Sequence, residues 1–304
     1  MGALLPFASI YLLALLLTTF LAPNVYGFFR WWDGCRPSIL SHYIAAKPFS
    51  KIFGRIFLIH LAIGLIFLLR HHGLFSWKNL GHWGENRGRG GSGKFFPKFF
   101  ALGLLLTFPI CLCQALVYGW HEKQINLPFA IVFSFGGALV VAFLEEVIFR
   151  GYLIRVFSAA FGRPAALLTS SFIFAGVHFH GPPLSSSASA IAGWPDSLRV
   201  AGGIFFGAVR GFRPVPFFSL FLLGVLLGLI FLRYRHLTAS IGFHCGVVLV
   251  LLLHRRTISL TVGTPSAFWG TNILLDSVLC PLLLLLPIGF CLHGFRQKFC
   301  RDGP

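Results

Sequence analysis

The chain has 304 residues, of which 56% are hydrophobic and only 11% are charged, and its mean hydropathy is +0.81. A soluble globular domain carries about 25% charged residues, so this composition excludes a water-soluble fold and predicts a protein that faces lipid. The net charge of +17 does not indicate a nucleic-acid partner, because the basic residues stand between apolar stretches. There they match loops beside the anionic headgroups of a lipid bilayer.

Apolar stretches long enough to cross a bilayer recur along the whole chain. A spanning helix needs about 20 such residues. We predict eight spans, at residues 4–21, 52–69, 99–118, 129–149, 164–178, 216–232, 237–253 and 268–292. A weaker apolar piece, residues 200–209, is predicted as a re-entrant segment or a loop. The predicted fold is therefore an all-α integral membrane protein, a polytopic bundle of about eight transmembrane helices.

The even number of predicted spans places both termini on one side of the membrane. Lys and Arg are slightly more frequent in the loops on that side. By the positive-inside rule this favours cytoplasmic termini. The expected location is a multi-pass position in a bacterial plasma membrane or in the endoplasmic reticulum.

Two adjacent glutamates, Glu145 and Glu146, follow the apolar run of residues 129–144. Ionisable groups inside a membrane cost several kcal/mol and face a partner or a cavity. Packing alone does not select two side by side, so the pair is a candidate functional site. Glu146 and Arg150 stand at i and i+4, on one helix face, where they can pair. Glu145 points about 100° away and can act on a water molecule.

Two histidines are further candidates. His178 shares a helix face with Phe174, and His244 lies about two turns into the seventh predicted span. A single membrane histidine is often only a polar contact between helices. Together with a carboxylate, histidines can activate water, shuttle a proton to a leaving amine and bind an oxyanion. Glutamate and histidine can also hold a divalent metal such as zinc, so the sequence leaves a metal cofactor open.

The depth of these residues in the membrane can be estimated at 1.5 Å per residue. Measured from one side, Glu145 is expected about 18 Å deep, His178 about 21 Å and His244 only about 9 Å. The first two depths agree, and the third differs by about 10 Å. A tilt, a kink or a misplaced helix boundary is needed to bring all three together.

These residues, in this order, resemble a known family signature. Glu-Glu-x-x-x-Arg at 145–150, Phe-x-x-x-His at 174–178 and a later histidine, His244, are similar to the three motifs of the CAAX-protease and bacteriocin-processing (CPBP, or Abi) intramembrane endopeptidases. Arg-Gly-Tyr-Leu at 150–153 and the glycines at positions 224 and 228 also resemble the family. The similar region runs from about residue 129 to residue 250.

The resemblance implies a hydrolase, a protease with a water-accessible chamber within the bilayer. By similarity, Glu145 is the general base that activates water, and His178 assists it. Glu146 and Arg150 position that base, and His244 helps to bind the oxyanion. The family has been described both as metalloendopeptidases and as glutamate-dependent proteases, so the metal stays open. The implied substrates are membrane-anchored or prenylated proteins, as for a CAAX prenyl protease.

The resemblance also divides the chain into three parts. Residues 1–125 carry N-terminal transmembrane helices and basic loops. Residues 126–255 form the CPBP-like catalytic core. Residues 256–304 carry a C-terminal transmembrane helix and a basic tail.

The sequence departs from the family at one position. The third motif usually continues His-x-x-x-Asn or Asp, and here Val248 stands at that place. Ser240, one turn before His244, is a candidate substitute for the missing polar group. The segment 179–216 is also long for the family and could be an insertion or a lid. Two alternatives remain: a catalytically degenerate immunity or scaffold protein, and a proton-coupled transporter, against which the absence of a visible repeat counts.

Overall fold

The computed structural model describes residues 4–45, 47–76, 94–123, 125–179, 193–260, 266–270 and 274–301. These residues are almost entirely helical, which confirms the predicted all-α membrane bundle. The α-helices in chain order are α1 (Leu4–Cys35), α2 (Ile39–Ala45), α3 (Phe49–His71), α4 (Phe95–Tyr118), α5 (Leu127–Glu146), α6 (Ile154–Phe161), α7 (Arg163–Val177), α8 (Trp194–Arg210), α9 (Pro214–Tyr234), α10 (Leu237–Thr257) and α11 (Leu279–Arg301).

Three other kinds of element complete the described chain. A π-helical segment, Val147–Leu153, joins α5 to α6 without a break, and a 3-10 turn, Leu274–Asp276, precedes α11. Two short strands, β1 (Trp120–Glu122) and β2 (Ile258–Leu260), pair antiparallel with Trp120 opposite Leu260. Because β1 follows α4 and β2 follows α10, this ribbon ties the ends of those two helices together.

Within the described residues, six runs of helix are long and apolar enough to cross a membrane. They are α1, α3, α4, the continuous run Leu127–Phe161, α9 and α10. The fifth and eighth predicted spans correspond to shorter apolar helices, Arg163–Val177 and Leu279–His293. The eighth begins later than predicted, because residues 274–278 form a 3-10 turn and a bend instead of helix.

The chain forms two compact units. The first unit comprises Met1–Phe75 and Gly176–Phe212, and the second comprises Ser76–Ala175 and Arg213–Pro304. These units follow the packing of the chain. The division into residues 1–125, 126–255 and 256–304 followed motifs and stays a prediction.

In the first unit, α1 packs against α3 and α8. A polar contact crosses the α1–α3 interface, where Thr18 Oγ1 lies 2.8 Å from His60 Nδ1. Ser197 on α8 donates to the carbonyl of Thr19, 2.7 Å away. The weak apolar piece 200–209 is thus part of a helix, because its residues Val200 and Ile204 are buried against α1 and α3.

In the second unit, α9 and α10 lie at the centre. The apolar stretches of α9 and α10 are 67% and 72% buried, against 22–33% for the other four candidate spans. The most extensive contacts of α10 are with α4 and α5. The side chain of Asn126 caps α5 by accepting from the Phe129 N–H at 3.1 Å, and His236 caps α10 in the same way through Thr238 N–H at 3.2 Å.

Candidate active site

Glutamate and arginine meet where α5 becomes π-helical. Arg150 Nη1 donates to Glu146 Oε1 at 2.8 Å, and their side chains are 1% and 0% exposed. The predicted i, i+4 pair is therefore confirmed. A π-helical turn is rare and occurs frequently at functional sites. The pair lies within the continuous apolar run Leu127–Phe161, far from either end.

Arg150 has two further supports within the second unit. Its Nη2 donates to the carbonyl of Gly224 on α9 at 2.9 Å. Its guanidinium carbon lies 4.8 Å from the centre of the Phe174 ring on α7. Burial of a charge is strongly unfavourable unless hydrogen bonds and an opposite charge compensate it. Glu146, Gly224 and Phe174 provide that compensation from three different elements.

His244 completes the cluster from α10. Its Nδ1 lies 3.0 Å from Glu146 Oε1, and its Nε2 lies 3.7 Å from Glu145 Oε2. The imidazole is therefore held between the two adjacent glutamates, and the residue is 2% exposed. Because Glu146 Oε1 also accepts from Arg150, it acts as a carboxylate acceptor, and the hydrogen bond places the proton of His244 on Nδ1.

The orientation of His244 follows from glycines two residues to either side. A Cβ on Gly242 would meet the backbone of Phe96, with its Cα at 3.1 Å, and a Cβ on Gly246 would meet Leu104 N at 3.0 Å. Both glycines thus lie against α4. A residue two positions away on a helix points about 200° from them. His244 consequently faces away from α4, towards the glutamates that follow α5.

The face that α5 presents to α10 is lined with small residues. Ala130, Ser134, Ala138 and Ala142 recur every fourth residue, are all nearly inaccessible, and lead to Glu146. Small side chains let two membrane helices approach closely. The two helices run antiparallel, since Glu146 meets His244 while the Cβ position of Gly137 lies 3.5 Å from Leu252. The repeat therefore brings the carboxylate within reach of the imidazole.

Glu145 and His244 are close together, although the depths estimated from the sequence differed by about 10 Å. Glu145 lies within a helical run of 35 residues, Leu127–Phe161, which is about 52 Å long at 1.5 Å per residue. This exceeds the roughly 30 Å of a hydrocarbon core. The ends of this run therefore need not mark the membrane surfaces, and the difference of about 10 Å counted from helix ends does not measure a separation between Glu145 and His244.

The remaining predicted site residues lie as follows. His178 is in the turn after α7 and belongs to the first unit, so its part in the site stays a prediction. Val248 is half-buried on α10, one turn beyond His244. The predicted segment 179–216 contains α8, while residues 180–192 lie outside the described chain.

The cluster does not fit a metal site. Within the described parts of the chain, no three or more His, Cys, Asp or Glu side chains are arranged to hold a metal ion. Oε1 of Glu146 is already shared by Arg150 and His244. The described donor set therefore does not match the three or four ligands that a zinc ion takes.

Three contacts of the cluster were missed or undervalued in the sequence. The sequence marked Phe174 by its shared face with His178 and by its place in the second family motif, and Gly224 by family similarity, but neither as a contact of Arg150. Ser240 is fully buried, donates its one hydroxyl proton to the Leu237 carbonyl at 3.1 Å and lies near the Glu146 carboxylate. Its position one turn before His244 was the available signal.

The same stretch of chain matches a protein family. Residues 126–250 match the family described as type II CAAX prenyl endopeptidase Rce1-like. No curated protein and no solved structure shows a significant match to the chain. The matched residues contain the glutamate pair, Arg150 and His244. The predicted resemblance to CPBP intramembrane endopeptidases is thereby confirmed: over residues 126–250 this integral membrane protein is similar to the CAAX prenyl endopeptidases.

Proposed function

We propose that this protein is an intramembrane endopeptidase that hydrolyses peptide bonds of membrane-associated proteins with a water molecule activated by glutamate and histidine. The observation that supports this proposal is the imidazole of His244 between two adjacent glutamates, beside a buried arginine. The four groups come from two helices that cross a membrane. A hydrophobic core gains nothing from such a cluster, and intramembrane ionisable residues mark functional sites.

In this mechanism Glu145 is the general base. It takes a proton from water as the water oxygen attacks the carbonyl carbon of the scissile peptide bond. The resulting tetrahedral intermediate carries its negative charge on the former carbonyl oxygen. Collapse breaks the carbon–nitrogen bond, and the proton passes to the leaving amine. Glu145 is suited to this role because its side chain is 25% exposed, whereas that of Glu146 is inaccessible.

Glu146 and Arg150 orient the site and do not touch the substrate. Glu146 holds the Nδ1 of His244, so that Nε2 faces Glu145. Arg150 compensates the charge of Glu146 and anchors it to α9. With its proton on Nδ1, a neutral His244 presents only an acceptor at Nε2. Donation to an oxyanion from Nε2, the role implied by the resemblance, requires the doubly protonated imidazole.

Two further parts of the mechanism rest on the motifs. His178 assists Glu145, as the family pattern implies. Ser240 supplies a hydroxyl near the carboxylate of Glu146, one turn before His244, while Val248 lacks a polar atom one turn after it. We infer that Ser240 takes over part of the role of the family Asn or Asp.

The proposed substrates are membrane-anchored or prenylated proteins, which reach the site from the bilayer. The type II CAAX prenyl endopeptidase description of the matching family and the lipid-facing character of the chain support this proposal. The termini are proposed to be cytoplasmic, in a bacterial plasma membrane or in the endoplasmic reticulum.

The test uses purified, detergent-solubilised protein and quenched peptides that include prenylated C-terminal tails. Wild type is compared with Glu145→Ala and with His178→Ala. We expect cleavage by wild type that both substitutions abolish. The matched control is Asp196→Ala, which removes a carboxylate of the first unit that pairs with Arg199 at 3.9 Å. Equal cleavage by wild type and Glu145→Ala would exclude Glu145 as the base.

One observation favours a second candidate, a degenerate protein that acts by binding a partner. Val248 occupies the position of a polar family residue, and removal of one oxyanion donor costs about 2.7–4 kcal/mol of transition-state stabilisation. The variant Val248→Asn separates the two. Cleavage that appears only in this variant would mean that the natural chain has lost catalysis, and cleavage by wild type excludes that reading.

A further inference from the structure

Phe174 lies against both nitrogen-bearing side chains of the cluster, Arg150 and His244. The guanidinium carbon of Arg150 is 4.8 Å from its ring centre. The imidazole of His244 is 6.0 Å away at an interplanar angle of 69°. Phe149 meets the same ring edge-on, at 5.1 Å and 86°. The ring is completely buried, so these contacts fix its position.

We propose that Phe174 is a positioning residue for the proposed protease: its ring sets the relative placement of Arg150 and His244, and through them of the glutamate pair. The inference rests on the proposed function. A buried guanidinium is attracted by the negative face of an aromatic ring, and the attraction grows when water is absent. The ring thus holds Arg150 within hydrogen-bond distance of Glu146. Its edge-on contact with His244 limits the tilt of the imidazole.

A glycine on α9, Gly224, leaves space for the Phe174 ring. A Cβ at Gly224 would lie 3.1 Å from the Cα of Ser171 and 3.2 Å from Cδ1 of Phe174. Both distances are tighter than ordinary contact, so a side chain at 224 would displace the ring or the helix. The same glycine accepts the second hydrogen bond of Arg150. Position 224 therefore serves the arginine twice, by its carbonyl and by the space that it leaves for Phe174.

The chain offers a matched control for the ring. Phe231 on α9 is also completely buried in the second unit, and Arg155 lies over it at 5.6 Å. It supplies the same kind of cation–π contact to a different arginine. Loss of buried aromatic volume is thus common to Phe174→Leu and Phe231→Leu, and contact with the cluster is specific to Phe174.

The first measurement is peptide cleavage by these two variants. We expect Phe174→Leu to lower kcat at least about tenfold with little change in KM, and Phe231→Leu to leave kcat within about twofold of wild type. Fluorinated phenylalanines incorporated at position 174 keep the shape of the ring but withdraw electron density from it. This weakens the cation–π attraction, so kcat is expected to fall stepwise with the number of fluorine atoms. An unchanged kcat in this series, or an equal fall at position 231, would overturn the proposal.

A second measurement needs no activity. Unfolding of Phe174→Leu, Arg150→Met and the double variant forms a thermodynamic cycle. We expect the two changes to be coupled by at least about threefold in the unfolding equilibrium constant. Additive effects would show that the ring does not fix Arg150. A wild type that cleaves none of the peptides would contradict the proposed function and the catalytic part of this inference, while the cycle would still decide whether Phe174 holds the arginine.

Discussion

Removal of Arg150 should be among the most destabilising single changes in the second unit. Arg150→Met leaves the carboxylate of Glu146 fully buried and takes away its 2.8 Å partner. Loss of one member of a buried ion pair costs about 3–5 kcal/mol, because the remaining charge is uncompensated. Glu146→Leu should cost a similar amount, since it strands Arg150 in the same way.

The double variant Glu146→Leu with Arg150→Met should be far less damaging than the sum. Replacing a buried ion pair by apolar groups of similar volume is often neutral or stabilising. Here the double variant also removes the partner of His244 Nδ1, 3.0 Å away, and an unsatisfied buried donor costs about 1–3 kcal/mol. Two single changes that sum to about 6–10 kcal/mol should therefore combine to about 1–3 kcal/mol.

The assay is reversible unfolding in mixed micelles, titrated with a denaturing detergent and followed by far-ultraviolet circular dichroism. The control is Arg199→Met in the first unit, whose partner Asp196 is 3.9 Å away and whose side chain is 70% exposed. That change should cost less than about 0.5 kcal/mol. A double variant as unstable as the sum of its parts would refute the claim that the two charges stabilise each other.

Two other predictions concern helix packing. Gly246→Ala should destabilise the protein by about 1–3 kcal/mol, because the new Cβ would meet the backbone of α4 and overpacking is costly. The control Gly136→Ala, whose Cβ would have nothing within 4 Å, should not destabilise it. Unfolding in micelles measures both. Thr18→Val should cost about 0.6–1.7 kcal/mol through the lost contact with His60; a change below 0.3 kcal/mol in the same assay, at about the limit of additivity errors, would mean that the contact adds nothing.

The sequence was most informative where residues on one helix determine the outcome. The pairing of Glu146 with Arg150 follows from spacing alone, because i and i+4 share a face whatever the rest of the fold does. The separate direction of Glu145 follows in the same way. Long apolar runs likewise predicted the membrane fold, since lipid leaves helices as the main solution for such runs.

Contacts between helices could not be predicted from the sequence. That Arg150 bonds the carbonyl of Gly224 depends on how closely α9 approaches, and a carbonyl carries no side-chain signal. The π-helical turn at Val147–Leu153 has no marker in its residues either. The meeting of His244 with Glu145 was obscured by counting depth from helix ends, because a run longer than the membrane need not begin at its surface.

The precision of the cluster comes from glycine more than from apolar packing. Lipid tails are as apolar as leucine, so helices in a bilayer gain little by burying apolar side chains against one another, and close backbone approach must supply the specificity. Gly242 and Gly246 allow α10 to lie close against α4, and this orients His244 towards the glutamates. Gly224 brings α9 close enough to receive Arg150. A substitution at any of these glycines should therefore misplace His244 or Arg150 and lower activity before it unfolds the protein.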